Sequence, residues 1–499
     1  MPNSMFPKWS YPVCILAIVL SGCKSQPDEQ SRTEFILTYT AEVSGVPLTG
    51  RAILLLSKDT LTDPDIPEPG HPFITIGTDF EDWQPGKELI ITNDNSTGYL
   101  SSVNELEGSY SARVLLDLDT TSCSLQVPGM SYSEMFVFHV QPGIKNQIRA
   151  EVCNIYPGRA FQENDTVKLL KVESQLLSNF YQAPTYIEAA VFLPASYFED
   201  KERYYPTVFV FPGWGTTHVA ASRDNFQMRR YGRTGYGEEK IFVVLNQDCR
   251  FGFHVFADSD NNGPRATSFV EEFLPFYEQA YRAVTDSRAR FLVGQSSGAW
   301  AALWLQIHYP DTFGMTWAGS PDPLDFRDFL KHNLYDKKAN LFYDTEGTLT
   351  PAIRPGELVF TIKEWLEMES ALGEGGQFQS FESVFGSRGS DNRPEQMFDR
   401  QTGKVSHKAM EHWKNYDINL FISENSGRLK VPLAGKINIC VADNDPFFLD
   451  GPVKLVKKSL DSLGFVSGIL LLPEGEHDTW TDDIRSRMHS KMDSISSKK

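Results

Sequence analysis

The feature that most constrains the fold is a change of hydrophobic pattern near Val167. From there on, short and almost continuously apolar runs alternate with amphipathic segments. The apolar runs are TYIEAAVFLP, TVFVFPG, KIFVVLNQD, ARFLVGQS, KINICVAD and GILLLPEG, and the helical segments include Arg265–Val284, Ser297–His308, Pro452–Leu463 and Asp478–Ile495. Strands that are apolar along their whole length are buried on both faces, as in a mainly parallel sheet covered by helices. The pattern predicts a doubly wound α/β domain over residues 167–495.

Residues 35–160 have a different pattern, with short strand-like runs and no long helix. FILTYTAEV, RAILLLS, KELIITND, YSARVLLDLD, EMFVFHV and NQIRAEV are rich in β-branched and aromatic residues, and several alternate with a period of two. The spacing predicts an all-β, sandwich-like domain of roughly immunoglobulin type. Because no catalytic cluster lies in this region, we expect it to act as a spacer or packing domain, with carbohydrate binding as the alternative.

The N-terminus has the pattern of a targeting segment. Lys8 precedes an apolar run over residues 11–20, which is too short to span a bilayer permanently and has the length of the apolar region of a signal peptide. The run ends in LSGC, which resembles the bacterial lipobox at all four positions. Residues 1–22 are therefore predicted to be a lipoprotein signal peptide and Cys23 the lipid anchor. A secretory signal that is cut elsewhere is the alternative.

The segment after the predicted anchor indicates where the protein resides. Residues 23–34 are polar and predict a flexible tether. The anchor places the protein in a bacterial cell envelope, attached to the membrane by lipid. In a Gram-negative cell, Lys24 in place of Asp favours the outer membrane.

Charge and motifs exclude several classes of function. The net charge is −18 and no block of five or more Lys or Arg occurs, which argues against a nucleic-acid partner. No HExxH, calcium-type carboxylate loop or phosphate-binding glycine loop is present, so no metal or cofactor is expected.

The cysteines give one open prediction. No CxxC pair occurs. Cys123 and Cys153 lie in the same β-rich region and are candidates for a disulfide in an oxidising compartment, with free thiols as the alternative. Cys249 and Cys440 follow strand-like runs and are predicted to be small buried residues.

A long insert interrupts the α/β pattern at about residues 320–430. It contains the polar, glycine-rich stretches GEGGQ and GSRGSDNRPEQ and two predicted helices, near Thr361–Leu372 and His407–Tyr416. An insert of this length inside a compact domain is typically functional. We expect a cap or lid over the site.

The pentapeptide Gly294-Gln295-Ser296-Ser297-Gly298 is a G-x-S-x-G motif. The motif alone is weak, but a buried-strand run, RFLV, precedes it and a helical run, GAWAALWL, follows it. Strand, sharp turn and helix resemble the nucleophile elbow of the α/β-hydrolase fold. Ser296 is the predicted nucleophile, and a glycine-rich turn with a surface serine is the alternative.

His477 is the predicted base that activates the serine. It follows the last apolar run by a short loop and precedes a terminal helix, which places it at the carboxyl edge of the sheet. The acid is expected after the preceding strand, in the turn DNDP (443–446). We assign it to Asp445, because a carboxylate there can orient the imidazole and stabilise its cation. Asp443 is the alternative, and Asp322 is a more distant one.

The oxyanion hole needs backbone N–H groups directed at the developing negative charge. One is expected from Ser297, directly after the nucleophile. The other is expected from the loop FPGWG (211–215), with Trp214 as the donor. A simple β-turn is the alternative reading of that loop.

The segments around these residues resemble a family of esterases. YYPTVFVFPGWG, FGFHVFADSDNNGPRATSFVEEFLPFYEQAYR and FLVGQSSGAWAALWLQIHYPDTFG are similar to the family that includes esterase D-like enzymes, feruloyl and acetylxylan esterases, siderophore esterases and mycolyltransferases. The similarity covers roughly residues 167–490, apart from the insert. It implies the α/β-hydrolase fold and hydrolysis of carboxylic esters through an acyl-enzyme. Pro212, where many relatives have His, and the long insert leave the substrate open.

The family-like segment also contains a polar loop that includes His254 and Asn261. Loops at that edge of the sheet border the pocket, so both residues are candidate substrate contacts. The alternative is that they only stabilise the loop by local hydrogen bonds.

These observations favour a carboxylester hydrolase that acts on a small-molecule or polysaccharide ester, with acylated carbohydrate as a candidate substrate. An acyltransferase on the same triad and a non-catalytic binding protein of the same fold are the alternatives. A peptidase of this fold typically carries a β-propeller, for which the N-terminal region is too short.

Overall fold

The computed structural model describes residues 32–68, 71–223, 229–354 and 360–497. The predicted signal peptide and Cys23 lie outside the described residues. Within these ranges, no helix combines the length and the apolar character needed to cross a bilayer.

The N-terminal region forms one sheet of nine strands. They are β1 (Thr33–Tyr39), β2 (Leu48–Ser57), β3 (Ile74–Trp83), β4 (Leu89–Ile91), β5 (Thr97–Tyr99), β6 (Gly108–Asp117), β7 (Ser131–Ser133), β8 (Phe136–Val140) and β9 (Asn146–Ile155). The order is β4-β1-β9-β7-β6-β2-β3-β5, with β8 also paired to β6. All of these pairs are antiparallel except β1 and β9.

This sheet folds over onto itself. Four strands lie between β1 and β3 in the sheet order, which in a flat sheet would separate them by more than about 20 Å. Nevertheless, the rings of Tyr39 and Trp83 lie 4.8 Å apart, and the Tyr39 hydroxyl donates to the Trp83 carbonyl at 2.8 Å. One apolar core therefore lies between the two halves of the sheet, and the predicted sandwich-like character is confirmed.

The second region is built on an eight-stranded central sheet. Its strands are β10 (Val167–Glu173), β11 (Tyr186–Phe192), β12 (Thr207–Phe211), β13 (Ile241–Leu245), β18 (Arg290–Gln295), β19 (Met315–Gly319), β20 (Ile437–Ala442) and β21 (Gly468–Leu472). Two short hairpins lie outside this sheet. They are β14–β15 (Asp248–Cys249, Gly252–Phe253) and β16–β17 (Asp258–Ser259, Gly263–Pro264). The order is β10-β11-β13-β12-β18-β19-β20-β21. The first two pairs are antiparallel and the rest are parallel, which confirms the predicted α/β-hydrolase fold.

Helices cover both faces of the central sheet. In β12, Phe209 and Phe211 face one apolar core while Val208 and Val210 face the other, so the strand is apolar throughout. The helices outside the insert are Gln175–Tyr181, Ser196–Glu199, His218–Arg223, Arg265–Ser268, Leu274–Ala280, Ser297–His308, Asp450–Leu463 and Asp482–Ser496, with a π-helical segment, Phe269–Phe273, joining two of them. The predicted helices appear at these positions, with ends that differ by up to four residues.

The insert lies between β19 and β20 and combines several helices with long irregular stretches. Its helices are Ile362–Leu372, Gln377–Phe385, His407–Trp413, Ile418–Glu424 and Ser426–Leu429, with a 3₁₀ turn at Phe326–Asp328. The first begins at a capping box, in which the side chain of Thr361 accepts from the Glu364 N–H and that of Glu364 accepts from the Thr361 N–H. Gln377–Phe385 is a helix that the sequence pattern did not predict.

All four cysteines of the described residues are free. The Cys123 thiol donates to Asp248 Oδ1 at 3.0 Å, whereas Cys153 lies on β9. The proposed disulfide between them is therefore wrong, because Cys123 faces the α/β region instead of its own sheet. Cys249 and Cys440 are buried, as predicted.

Candidate active site

Ser296 lies in a sharp turn between β18 and the following helix. Its backbone has φ 55° and ψ −125°, a conformation that costs a non-glycine residue roughly 1–3 kcal/mol. The flanking glycines are required by close contacts. A Cβ on Gly294 would lie 2.1 Å from the carbonyl oxygen of Gly298, and a Cβ on Gly298 would lie 2.0 Å from that of Phe211. The motif thus has the strained elbow that exposes a nucleophile.

His477 is bound to Asp445. Its Nδ1 lies 3.0 Å from Asp445 Oδ2, and the Asp445 side chain is completely buried. Asp445 Oδ1 also accepts from the Phe447 N–H at 2.9 Å, which fixes the carboxylate. Asp443 is exposed and pairs with Lys454 at 3.3 Å. Of the two carboxylates in this turn, Asp445 is the one that is hydrogen-bonded to the imidazole.

Gln295 fixes the backbone of the histidine loop, a role that sequence reasoning missed. Its Nε2 donates to the His477 carbonyl at 2.7 Å, and its Oε1 accepts from Trp480 Nε1 at 2.8 Å. Gly319 packs against this pair, because a Cβ there would lie 2.6 Å from Gln295 Oε1. The residue before the nucleophile therefore links the nucleophile strand to the histidine. The G-x-S-x-G pattern leaves this position free, so it gave no signal.

The loop 211–215 lies directly beside the nucleophile. A Cβ on Gly213 would lie 3.5 Å from Ser296 Cβ. The buried side chain of Gln247 donates from Nε2 to the Pro212 carbonyl at 2.7 Å and fixes the loop from behind. The loop is thus positioned to contribute to an oxyanion hole, although Pro212 itself has no N–H.

The two predicted donor residues lie on two separate segments that meet at Ser296. Ser297 is the first residue of the helix after the elbow, where backbone N–H groups point out of the helix end. Trp214 follows Gly213, and its ring packs against Phe253 at 4.9 Å. Both segments reach the nucleophile, as an oxyanion hole requires.

Asp322 has a position that differs from that of a triad acid. Its Oδ1 accepts from the Ser296 hydroxyl at 3.3 Å, and its Oδ2 accepts from the Ser297 hydroxyl at 2.6 Å. Burial raises the pKa of Asp322 to about 6. In the structure this carboxyl therefore contacts the nucleophile itself, and the Ser296 hydroxyl must rotate away from it to approach His477.

Ser296, His477 and Asp322 line one cavity of about 910 Å³, a volume within the range of binding sites for drug-sized molecules. Aromatic rings extend from the histidine along one wall. The Phe447 ring lies 4.9 Å from His477 and 6.5 Å from Trp365 of the insert. The insert thus forms part of the wall of the site, as a cap would.

A second buried carboxyl lies in the same cavity wall. Glu369 of the insert is 5% exposed, and burial raises its pKa to about 7. Its carboxyl oxygens accept from the Phe378 N–H at 3.3 Å. Among the residues described, no three His, Cys, Asp or Glu side chains are grouped so that they would hold a metal ion.

The structure does not bring His254 and Asn261 to the cavity. His254 is 3% exposed, and its Nδ1 accepts from the Phe256 N–H at 3.2 Å. Asn261 is 5% exposed and donates to the carbonyls of Ser383 and Gly386. Both are interior residues, and Asn261 attaches the polar loop to the insert. The alternative of stabilising hydrogen bonds therefore fits both residues. The bond of His254 is local, whereas the partners of Asn261 lie more than 100 residues away in the chain.

The sequence matches the model of the esterase family, whose description is "Putative esterase", over residues 183–450. The match spans more than half of the 499 residues and includes Trp214, Ser296 and Asp445. The chain belongs to this family. It is a carboxylic ester hydrolase of the α/β-hydrolase fold, as the resemblance implied.

Several solved structures are similar to this esterase at low identity. A ferulic acid esterase is 18% identical with a TM-score of 0.40, over 66% of this chain and 97% of that one. The Staphylococcus aureus fluorophosphonate-binding serine hydrolase F is 15% identical with a TM-score of 0.39, over 65% of this chain and 97% of that one. An S-formylglutathione hydrolase from Agrobacterium tumefaciens is 12% identical with a TM-score of 0.39, over 67% of this chain and 98% of that one. No protein with a curated description matches the sequence significantly.

Proposed function

We propose that this esterase hydrolyses its substrate through an acyl-enzyme on Ser296, with His477 as general base and Asp445 as the residue that orients it. The observation that carries the proposal is the hydrogen bond between His477 Nδ1 and Asp445 at the wall of the cavity that Ser296 also lines. With Nδ1 engaged, Nε2 is the nitrogen left to accept the serine proton.

The reaction follows from this arrangement. The Ser296 hydroxyl turns from Asp322 toward His477, loses its proton to Nε2 and attacks the ester carbonyl carbon. The N–H groups of Ser297 and Trp214 bind the oxyanion of the tetrahedral intermediate. When the C–O bond breaks, the alcohol leaves with the proton from His477. Water, deprotonated by His477, then cleaves the acyl-enzyme, releases the acid and restores Ser296.

We further propose that the protein acts in the cell envelope, attached by lipid on Cys23, and that its substrate is an acylated carbohydrate. The lipobox-like sequence supports the location. The aromatic wall formed by Phe447 and Trp365 supports the substrate class, because sugar faces and aromatic acyl groups both pack on such rings. The cavity volume of about 910 Å³ supports a substrate larger than a short acyl ester.

The serine mechanism is tested with the full-length protein on a panel of p-nitrophenyl and feruloyl esters, wild type beside Ser296→Ala. We expect kcat to fall by more than about 10³-fold in the variant, because the nucleophile is lost. Fluorophosphonate labelling should disappear with it. Ser462→Ala removes an exposed serine hydroxyl and serves as the matched control. Equal turnover in Ser296→Ala, or no turnover and no labelling in the wild type, would refute the mechanism.

The anchor is tested separately by expressing Cys23→Ser in a bacterial host with radiolabelled palmitate. We expect the wild type to carry label and to sediment with membranes, and the variant to lose the label. A variant that still carries label, or a wild type without label, would contradict lipid attachment at Cys23.

A further inference from the structure

The insert helix Ile362–Leu372 is attached to the N-terminal sheet through Arg51. The guanidinium donates from Nη2 to the Ser370 carbonyl at 2.8 Å and from Nε to the Ala371 carbonyl at 3.2 Å. It also pairs with Asp79 at 2.7 Å. The last carbonyls of a helix lack partners within the helix and carry partial negative charge, so a cation there stabilises the helix end.

The sheet surface is shaped to receive that helix. A Cβ on Gly77 of β3 would lie 2.0 Å from the Ala371 carbonyl oxygen, so the helix end lies directly on the strand. Leu372 packs against an apolar cluster on the same face of the sheet, which includes Ile53, Leu55 and Leu115. This face is therefore covered partly by the insert and partly by loop residues of the N-terminal region itself, Ile66, Leu125 and Met130.

A second attachment joins the N-terminal region to the α/β core near β14. The Ser122 hydroxyl and the Cys123 N–H both bind the Asp248 carboxylate, the latter at 3.0 Å. Asp248 has little exposed surface, and burial raises its pKa. The loop that carries Cys123 is thus fixed against the core, and the residues after it are placed beside the cavity.

The N-terminal region contributes directly to the cavity wall. Ile66, Cys123 and Leu125 line the same cavity as Ser296 and His477. Met368 and Leu372 of the attached helix line it as well. Ile66, Leu125 and Leu372 belong to one apolar cluster, so the sheet and the insert form a continuous apolar surface. A spacer domain would not place side chains in the cavity of the nucleophile.

We propose that the N-terminal domain is a specificity-determining part of the enzyme. Ile66 and Leu125, together with the insert helix that the domain supports, form a subsite for a bulky apolar group of the ester. This proposal rests on the proposed function, since it assigns a substrate contact to that same site. The subsite leaves a small ester, such as an acetate, almost without contact to the domain.

The test compares two esters on the full-length protein, p-nitrophenyl octanoate and p-nitrophenyl acetate. Leu125→Trp adds volume to the wall of the subsite. We expect it to lower kcat/KM for the octanoate by about tenfold or more and to leave the acetate value within about twofold. Ile66→Trp should act in the same direction, and both side chains are half-buried, so the larger ring has room outside the core. Leu61→Trp, at a residue that is 90% exposed, is the matched control.

The outcomes separate the two proposals. If the wild type hydrolyses neither ester, the proposed function itself fails. If the wild type is active but the octanoate-to-acetate ratio is unchanged in both Leu125→Trp and Ile66→Trp, the domain is not part of the subsite. An equal fall for both esters also overturns the proposal, because it indicates damage to the catalytic residues. Circular dichroism of each variant shows that the protein is folded.

Discussion

The two sheets of this esterase are covered in different ways. The central sheet has helices on both faces, and its carboxyl edge carries Ser296 and the loops of Asp445 and His477. The N-terminal sheet folds over to cover one of its faces. Its other face is covered partly by loop residues such as Ile66 and Leu125 and partly by Leu372, more than 250 residues after Leu115 in the chain. The comparison teaches that alternating apolar residues in a strand indicate that one face of the sheet is buried. They do not indicate which segment of the chain covers that face. It also divides the molecule into an edge that carries the proposed catalytic residues and a face that contributes to the cavity wall.

The largest effect is expected at the carboxyl edge of the central sheet. Asp445→Asn removes the negative charge that orients and stabilises the imidazolium, so kcat should fall by about 10³–10⁴-fold with the fold intact. Asp443→Asn, in the same turn but paired with Lys454, is the control and should stay within about twofold of the wild type. Steady-state kinetics on one ester measure both. A larger loss in Asp443→Asn than in Asp445→Asn would reverse the assignment of the acid.

A stability effect of pH is expected at the same edge. Burial raises the pKa of Asp322 from 3.8 to about 6, so its protonated form is favoured in the folded state. Its contribution to the free energy of unfolding is present below pH 4 and is lost as pH rises through about 6. The loss is about 3 kcal/mol at most. Asp322→Asn should therefore gain stability relative to the wild type between pH 4 and pH 7, as measured by urea unfolding.

Asp286→Asn is the control for that measurement. The guanidinium of Arg288 lowers the pKa of Asp286 to about 2, so this group stays ionised over the same pH range. The difference between Asp286→Asn and the wild type should then be constant from pH 5 to pH 7. A constant difference for Asp322→Asn as well would mean that its carboxyl is ionised throughout.

Gln295 tests whether the catalytic edge depends on backbone positioning. Gln295→Leu removes the bonds to the His477 carbonyl and to Trp480, and we expect kcat to fall by about 10- to 100-fold while KM changes little. Gln306→Leu removes another buried amide, on the helix after the elbow, and is the matched control. If KM rises while kcat is preserved, Gln295 acts on substrate binding instead of on His477.

The smallest effect is expected on the N-terminal sheet. Gly77→Ala places a methyl group against the Ala371 carbonyl and should lower the free energy of unfolding by about 1–3 kcal/mol. Hydrogen exchange should become faster in helix Ile362–Leu372 and stay unchanged in β18. Gly45→Ala, where no atom lies within 4 Å of the new Cβ, is the control. Equal exchange in the two variants would show that the insert does not depend on the sheet.

The central sheet was predictable from sequence because its strands are buried on both faces by nearby helices. A run such as TVFVFPG has no polar face, and the motif around Ser296 follows such a run directly. His477 could be found because the fold places the residue after the last strand at the same edge. The choice of Asp445 over Asp443 depends on the direction of a single turn, which the spacing alone does not determine.

Strand β3 was not among the predicted strands, and its sequence explains why. Its ITIGTDFEDW contains a glycine and three acidic residues, which favour turns and surface loops over strand interiors. The structure gives the glycine a reason, since Gly77 is the point where the insert helix touches the sheet. The glycine that weakens the strand pattern of β3 is therefore the residue that lets the distant insert helix contact the sheet.

His254 and Asn261 illustrate the same limit. The position of their loop at the edge of the sheet favoured a place at the pocket, but a buried amide can equally satisfy carbonyls at the end of a helix. Asn261 does so at Ser383 and Gly386, at the end of a helix that the sequence pattern did not predict. Because the sequence pattern did not predict that helix, it could not indicate the hydrogen-bond partners of the loop.

The contact between Arg51 and the insert, across 320 residues of chain, has a consequence for the order in which the chain folds. The N-terminal sheet ends at Ile155 and is synthesised long before the insert emerges. Because domains generally fold as units and the N-terminal one is available first, the docking surface for helix Ile362–Leu372 can form before that helix is complete. The order of the two segments in the gene therefore matches the order in which the cavity is assembled.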